Sequence, residues 1–177
     1  MGQQVITLGG GCFWCLEAVY ERVDGVTAVE NGYSNGAARK PSYEQVCTGT
    51  TGHAEVVRVS FDDSRITLRE VLEIFFTIHD PTTLNRQGND VGTQYRSGIY
   101  LEDESQREVA AAVLAEAQAA HGGAVVTELA PLANYSQAEP YHQHYYAEHP
   151  NQGYCAFVVA PKVDKFRRTC GSRVKAA

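Results

Sequence analysis

The chain has 177 residues, enough for one domain with its own core, and carries 15 Lys and Arg against 21 Asp and Glu. The net charge of −6, without a basic cluster, argues against nucleic acid as a partner. No apolar stretch is long enough to cross a bilayer, and the first residues lack the features of a signal peptide. We expect a cytoplasmic domain over residues 1–177, without membrane attachment and by default a monomer.

The first predicted unit is a strand, a tight glycine turn and a helix. Residues 5–8 are an apolar run typical of a buried strand, and residues 16–23 carry apolar side chains at helical spacing. Cys12 lies between them, where the N–H groups and positive end of the helix favour a thiolate with a lowered pKa. Phe13 and Trp14 place two aromatic rings beside the sulfur. The motif predicts an activated cysteine at an aromatic pocket, although a cysteine buried in a core is the alternative.

The remaining chain mixes strands and helices without strict alternation. Strands are predicted at residues 26–33, 54–61, 97–101 and 125–129, and helices at residues 68–78, 103–120, 140–147 and 162–174. Residues 42–47 fit a short strand or a turn, residues 37–41 a polar loop, and residues 82–94 a long polar loop of a kind that often carries function. Thr67 and Glu70 form a capping box before the 68–78 helix. The mixture predicts an α+β fold with two layers.

Glu55 is the acidic residue with the most informative pattern. In the predicted strand it shares one face with Val57, Val59 and Phe61. If this is the core face, burial raises the pKa of the Glu55 carboxyl and makes it a proton donor near neutral pH. If the opposite face is buried, or a bulge turns the residue outward, Glu55 is an ordinary surface acid.

Three further polar residues are candidates for the same site. Tyr43 and Tyr95 lie in loop or strand-end contexts and offer hydroxyl groups on aromatic rings. Asp90, in the long loop, can orient a hydroxyl group or cap a turn. Structural roles are the commoner ones for all three residues.

The five cysteines divide into a spaced pair and three single residues. Cys12 and Cys15 form a C-x-x-C pair, a spacing found in redox and zinc sites. Cys155 lies in a polar segment in which a cysteine could move, whereas Cys47 and Cys170 are predicted to be inert. The histidines between residues 142 and 149 suggest zinc, but they lack paired ligand spacing, so no metal is predicted.

Six motifs, in order along nearly the whole chain, resemble the A-type peptide methionine sulfoxide reductases. They are GGCFWC at 10–15, YSNG at 33–36, PSY at 41–43, VCTGTTGHAE at 46–55, HDPTT at 79–83 and GNDVGTQYRS at 88–97. The resemblance implies a rolled mixed sheet with flanking helices and a ferredoxin-like core. It also implies thiol-dependent reduction of methionine S-sulfoxide, free or in peptides, as protein repair after oxidative damage. No cofactor is implied, only an external reductant, thioredoxin or a dithiol.

The resemblance also implies roles for single residues. Cys12 is the nucleophile that attacks the sulfoxide sulfur, and Glu55 protonates the sulfoxide oxygen. The residues that assist are Tyr43 and Tyr95 beside Glu55, Asp90 in its loop, and Phe13, Trp14 and Tyr145 around the substrate methyl group.

A second thiol must then resolve the sulfenic acid that forms on Cys12 into an intramolecular disulfide. Cys155 matches the C-terminal resolving position of the family, in Gly-Tyr-Cys, and is the preferred candidate. Cys15, where many members have Gly, is the alternative, although a disulfide across one helical turn needs the helix start to distort. Cys170 could relay the disulfide outward.

Two other functions use the same residues. A general dithiol oxidoreductase would use Cys12 and Cys15 alone, and a zinc-dependent interaction module would combine cysteines with the histidines. Neither function needs the aromatic pair inside C-x-x-C or an inward-facing Glu55, so both are less favoured.

Overall fold

A computed structural model describes residues 2–37, 42–48, 51–149 and 151–175 of the chain. The strands are β1 (Gln3–Gly9), β2 (Val26–Ser34), β3 (Ala54–Asp62), β4 (Arg86–Gln87), β5 (Asp90–Val91), β6 (Gly98–Leu101), β7 (Glu128–Pro131) and β8 (Ser136–Gln137). The α-helices are α1 (Phe13–Tyr20), α2 (Tyr43–Cys47), α3 (Leu68–Ile78), α4 (Arg107–Ala120), α5 (Tyr145–Glu148) and α6 (Ala160–Thr169). The short helical turns are Thr93–Tyr95, Glu104–Gln106, Pro140–His142 and Gly171–Arg173, all of 3₁₀ type, and the π-helical turn Cys155–Val159.

Six of these strands form one mixed sheet in the order β7-β6-β1-β3-β2-β8. Neighbouring strands run antiparallel except β6 and β7, which are parallel. Helices α1, α3, α4 and α6 pack together beside this sheet, and α1 lies against β2 and β3. The predicted α+β fold, a mixed sheet with flanking helices, is confirmed. In the part of the chain that is described, no helix combines the length and hydropathy that crossing a bilayer requires.

Strand β3 is buried on both faces, and its alternation decides where Glu55 points. Val57, Val59 and Phe61 are fully buried in the main core with the helices. Val56, on the opposite face, packs in a smaller cluster with Tyr100. The predicted register of β3 is therefore confirmed, with Glu55 on the same face as the main core.

Helix α1 is fixed to the layer of helices by a buried hydrogen bond. The hydroxyl group of Tyr20 donates to the carbonyl oxygen of Val71 in α3 at 2.8 Å, and Tyr20 itself is fully buried. Helix α3 begins at the predicted capping box, because the Glu70 N–H donates to the Thr67 hydroxyl oxygen at 3.1 Å. These contacts fix the direction of the helix that begins just after Cys12.

Two segments that were predicted as strand, turn or loop contain regular elements. Residues 42–47 form helix α2, because Ser42 and Gln45 make a second capping box with reciprocal bonds of 2.8 and 3.2 Å. The loop at residues 82–94 contains the β4–β5 hairpin, followed directly by the turn Thr93–Tyr95. Of the polar loop predicted at residues 37–41, all but Ala37 lies outside the described residues.

Three predicted elements in the C-terminal half have different bounds. The strand predicted at residues 125–129 begins only at Glu128, because the Gln118 side chain binds both backbone groups of Val125. The helix predicted at residues 140–147 is interrupted by His144, whose φ of 56° is left-handed. The helix predicted at residues 162–174 starts earlier and ends earlier, as α6.

Candidate active site

The glycine turn after β1 lets the long loop pack closely against Cys12. Gly11 has a φ of +90°, and a Cβ atom there would lie 2.8 Å from the Gln87 side chain. A Cβ atom on Gly10 would lie 3.1 Å from the His79 ring. The Gly11 N–H donates to the carbonyl oxygen of Tyr95 at 3.2 Å. A larger residue at Gly11 would therefore push the loop away from the turn, and one at Gly10 would press on the His79 ring at the end of α3.

Cys12 directly precedes α1, as predicted, but its thiol is not the low-pKa group that the sequence indicated. The side chain is only 9% exposed, and burial raises the pKa of the thiol well above its usual value, with a further contribution from the charge of Glu55. A hydrogen bond from the Trp14 N–H and the nearby Tyr154 hydroxyl group act in the opposite direction on the pKa. The predicted lowering of the Cys12 pKa is therefore wrong, because desolvation of the thiol outweighs the favourable field of the helix end.

Glu55 is a buried acid beside Cys12. Its side chain is 1% exposed, and its Oε1 atom accepts the Phe13 N–H at 3.2 Å. Its Oε2 atom has no hydrogen-bond partner among the described residues. Burial raises the pKa of Glu55 to about 8, and the charge of Asp90 adds to the shift. The predicted burial and raised pKa are confirmed, and the carboxyl group is largely protonated at neutral pH.

Tyr43 and Tyr95 lie close enough to Glu55 for the charge of its carboxylate form to affect their hydroxyl groups. Tyr43 is the first residue of α2, and its N–H donates to a carboxylate oxygen of Glu139 at 3.1 Å. Burial raises the pKa of both tyrosine hydroxyl groups, and the charge of Glu55 raises it further. Both hydroxyl groups therefore remain protonated, and that of Tyr43 hydrogen-bonds the Cys47 thiol at rest.

Tyr154 is a site residue that the sequence interpretation missed. Its hydroxyl group donates to the Asp90 carboxylate, and the hydroxyl oxygen lies beside the thiols of Cys12 and Cys15. Asp90 therefore orients a hydroxyl group beside Cys12. This hydroxyl group belongs to Tyr154, which the sequence analysis did not name as a site residue. Its position directly before the candidate resolving residue Cys155 was the one feature of the sequence that could have indicated a role for Tyr154.

The aromatic residues form a stacked wall next to Cys12. The rings of Trp14 and Tyr145 lie 3.9 Å apart and 8° from parallel, and Tyr154 meets Trp14 edge-on at 5.9 Å. Trp14 and Tyr145 are partly exposed, whereas Phe13 is fully buried against Tyr33, with the ring centres 5.7 Å apart. Phe13 therefore supports the wall from below, and Trp14 and Tyr145 present the accessible surface.

All five cysteines are free in the structure, in different environments. Cys15 is buried in α1, and burial raises the pKa of its thiol to about 11. Cys155 is completely buried at the start of the π-helical turn. Its expected place in a mobile polar segment is corrected, because that segment becomes helical at the cysteine. Cys47, predicted to be inert, is exposed and hydrogen-bonded to the Tyr43 hydroxyl group.

The histidines that suggested a zinc site do not converge on the C-x-x-C pair. His142 packs against the aromatic rings, with its centre 4.5 Å from that of Tyr43. His144 pairs with Glu21, and His149 stacks on Tyr145 at 4.4 Å. The three imidazole rings therefore contact aromatic rings or a carboxylate, and these contacts do not form a zinc site with Cys12 and Cys15.

Comparison with known proteins decides between the candidate functions. The model of the peptide methionine sulfoxide reductase family matches residues 4–174. The chain belongs to the peptide methionine sulfoxide reductase A family. It is therefore an oxidoreductase that reduces methionine sulfoxide, rather than a general dithiol oxidoreductase or a zinc-dependent module.

Individual relatives in the peptide methionine sulfoxide reductase A family support the assignment. Peptide methionine sulfoxide reductase MsrA of Saccharolobus solfataricus is 56% identical over 172 residues, 97% of each chain. Reduced Mxr1 of Saccharomyces cerevisiae has a TM-score of 0.81 and 39% identity, covering 87% of this chain and 90% of that one. Mxr1 in complex with Trx2 has a TM-score of 0.57 and 29% identity, covering 81% and 85%.

The variant Glu55→Gln tests whether the buried carboxyl group holds its proton. In the unfolded chain a glutamate releases its proton at about pH 4.3, whereas buried Glu55 keeps it until about pH 8. Between these values only the native state binds the proton, so the free energy of unfolding of the wild type falls as pH rises. Because glutamine does not titrate, we expect the variant to gain stability relative to wild type from about pH 5 to about pH 8.

Denaturant unfolding of both proteins across this range measures the difference in free energy. Glu17, which also titrates with a raised pKa, is present in both proteins, so its contribution cancels. A difference that does not change with pH would contradict the raised pKa of Glu55.

Proposed function

We propose that Cys12 attacks the sulfur of methionine S-sulfoxide, free or in a polypeptide, while Glu55 protonates the sulfoxide oxygen. The observation that carries this proposal is the burial of the Glu55 carboxyl group next to the Cys12 thiol, because burial favours the protonated form of both groups. A sulfoxide oxygen needs a proton before it can leave sulfur, and a sulfur nucleophile needs to lose one. The pair can meet both requirements without solvent.

In this reaction Glu55 passes protons from the thiol to the substrate. The carboxyl proton moves to the sulfoxide oxygen as the Cys12 sulfur attacks, and the thiol proton replaces it on Glu55. The attack forms a bond between the two sulfur atoms, and this bond breaks again as the protonated oxygen moves from the substrate sulfur to the Cys12 sulfur. Cys12 becomes a sulfenic acid, so the cysteine sulfur loses two electrons and the substrate sulfur gains them. Methionine leaves. The hydroxyl groups of Tyr43 and Tyr95 help to stabilise the oxygen as its charge develops.

The aromatic wall orients the sulfoxide. The stacked rings of Trp14 and Tyr145, supported by Phe13, present an apolar surface to the substrate methyl group. With the methyl group on this wall and the oxygen at Glu55, one face of the sulfur meets Cys12. This arrangement supports selection of one of the two sulfoxide epimers, and the resemblance to the family implies that it is the S epimer.

Cys155 is the proposed resolving thiol, with Cys15 as its competitor. Cys155 is preferred because its Gly-Tyr-Cys context matches the C-terminal resolving position of the family, whereas Cys15 is buried in α1 one turn after Cys12. Cys155 begins a π-helical turn, an irregular element that is often found at functional sites. In the proposed step this turn unwinds and Tyr154 releases Asp90 as Cys155 approaches Cys12. The sulfenic acid and the second thiol then form a disulfide and water.

Thioredoxin is the proposed reductant of that disulfide. The yeast relative Mxr1 was crystallised with Trx2. A groove of about 980 Å³ borders Tyr154 and Asp90, and the exposed ring of Phe157 lines it. This groove and the exposed Phe157 ring lie beside the resolving segment, where the surface of a partner can dock. A cytoplasmic location and a monomeric state remain predictions.

Single-turnover reduction of methionine S-sulfoxide tests the roles of Cys12 and Glu55. We expect Cys12→Ser to form no methionine and Glu55→Gln to slow the chemical step by about 10² to 10⁴. The wild-type rate should fall above about pH 8, as Glu55 loses its proton, and the variant should lack this decrease. Rapid quench and quantification of methionine give the rate without recycling.

The exposed carboxylate of Glu44, on α2, provides a matched control. Glu44→Gln should react at the wild-type rate. A Glu55→Gln variant as fast as wild type would remove Glu55 from the mechanism.

The resolving thiol is identified by peptide mapping after one equivalent of sulfoxide under non-reducing conditions. We expect a Cys12–Cys155 linkage in wild type and in Cys15→Ser. Cys155→Ser should complete one turnover and lose thioredoxin-driven cycling, and Cys47→Ser is the control. A dominant Cys12–Cys15 linkage would show that Cys15 is the resolving thiol.

A further inference from the structure

Glu17 is a buried carboxylate that the reaction above does not use. It lies on α1, fully shielded from solvent, and burial raises its pKa to about 7. Both of its oxygens are occupied by backbone groups of one distant segment. Oε2 accepts the His144 N–H at 2.6 Å, and Oε1 accepts the Tyr145 N–H at 3.1 Å. This occupancy favours an anchor for the segment over a ligand for a cation.

The segment has the backbone shape that binds an anion. His144 is left-handed, with φ 56° and ψ 33°, and Tyr145 begins the right-handed turn of α5. Two successive residues of opposite handedness direct their N–H groups into one concavity, which accommodates a negative charge. A left-handed residue with a Cβ atom is strained, so the conformation persists only where surrounding contacts impose it. The Glu17 carboxylate is such a contact.

The other side of this segment is held by β2. The Gln143 side chain accepts the Asn31 N–H at 2.9 Å and donates to the Asn31 carbonyl oxygen at 3.0 Å. The Asn31 side chain donates to the His142 carbonyl oxygen at 2.6 Å. Residues 142–145 are therefore fixed between β2 and α1, with Tyr145 at the end that Glu17 holds.

Helix α1 contributes both the anchor and the ring on which Tyr145 stacks. Trp14 and Glu17 are three residues apart, so they lie on neighbouring positions of one helix face. We propose that Glu17 is a positioning residue for the substrate pocket: it holds the His144–Tyr145 backbone so that the Tyr145 ring lies flat on Trp14. The inference rests on the proposed role of Tyr145 in binding the methyl group.

Glu17→Gln tests this inference, because an amide oxygen can accept one N–H and its NH₂ group repels the other. We expect KM for a methionine sulfoxide peptide to rise about tenfold, the effect of losing one hydrogen bond to a charged group. The single-turnover rate at saturating substrate should stay at the wild-type value. Trp14 is the only tryptophan in the chain, so its fluorescence should report the lost stacking without substrate.

Glu21→Gln is the matched control. Glu21 lies one turn further along the chain from Glu17 and contacts the same His144, but through the exposed imidazole ring. The Glu21–His144 pair is partly exposed and does not hold the backbone of the segment, so this variant should keep the wild-type KM and fluorescence. An equal change of KM and fluorescence in both variants would contradict a specific role of Glu17 in positioning Tyr145.

A double-mutant cycle with Tyr145→Ala separates the inference from the function on which it rests. If Glu17 acts through Tyr145, adding Glu17→Gln to Tyr145→Ala should raise KM no further. Additive effects, or an unchanged KM in Glu17→Gln alone, would overturn the inference and leave the pocket intact. An unchanged KM in Tyr145→Ala would instead remove Tyr145 from the proposed pocket.

Gln143→Ala provides a second test should Glu17→Gln fail to fold. It releases the same segment from β2 and leaves the buried carboxylate in place. We expect the same rise in KM and the same lack of additivity with Tyr145→Ala. A wild-type KM in Gln143→Ala would contradict the view that the anchored segment positions the ring.

Discussion

The site depends on the burial of Glu55 next to Cys12, where both side chains are shielded from solvent. A carboxylate and a thiolate at such a position would each lack hydration and would repel one another, so both groups hold their protons. The Phe13 N–H offers Glu55 one hydrogen bond, which reduces the cost of burial without removing it. The resting site is therefore neutral, and its two protons are available to the substrate.

The rest of the fold maintains this neutral pair. The glycine turn lets the loop that carries Asp90 approach Cys12, and strand β3 brings Glu55 under it. The anchored segment that ends at Tyr145 closes the aromatic side. The groups that complete the site come from both halves of the chain and converge on the start of α1.

The sequence could predict those features that depend on local periodicity. The alternation of β3 predicts an inward Glu55, and the apolar spacing after Cys12 predicts a helix that begins there. It could not predict the pKa of Cys12, because the field of a helix end is local whereas the burial of the thiol depends on distant residues. Tyr154 reaches the site only through the tertiary fold, so no spacing around Cys12 or Glu55 could indicate it. The capping box of α2 was visible in the sequence and was missed.

The protonation state of Glu55 in the resting enzyme is the central claim, and infrared difference spectroscopy measures it most directly. Subtracting the spectrum of Glu55→Gln from that of wild type isolates this one carboxyl group. At neutral pH the account predicts the carbonyl stretch of a protonated acid in an apolar environment, which disappears as the pH rises through about 8. A carboxylate spectrum at neutral pH, with no protonated band, would contradict it.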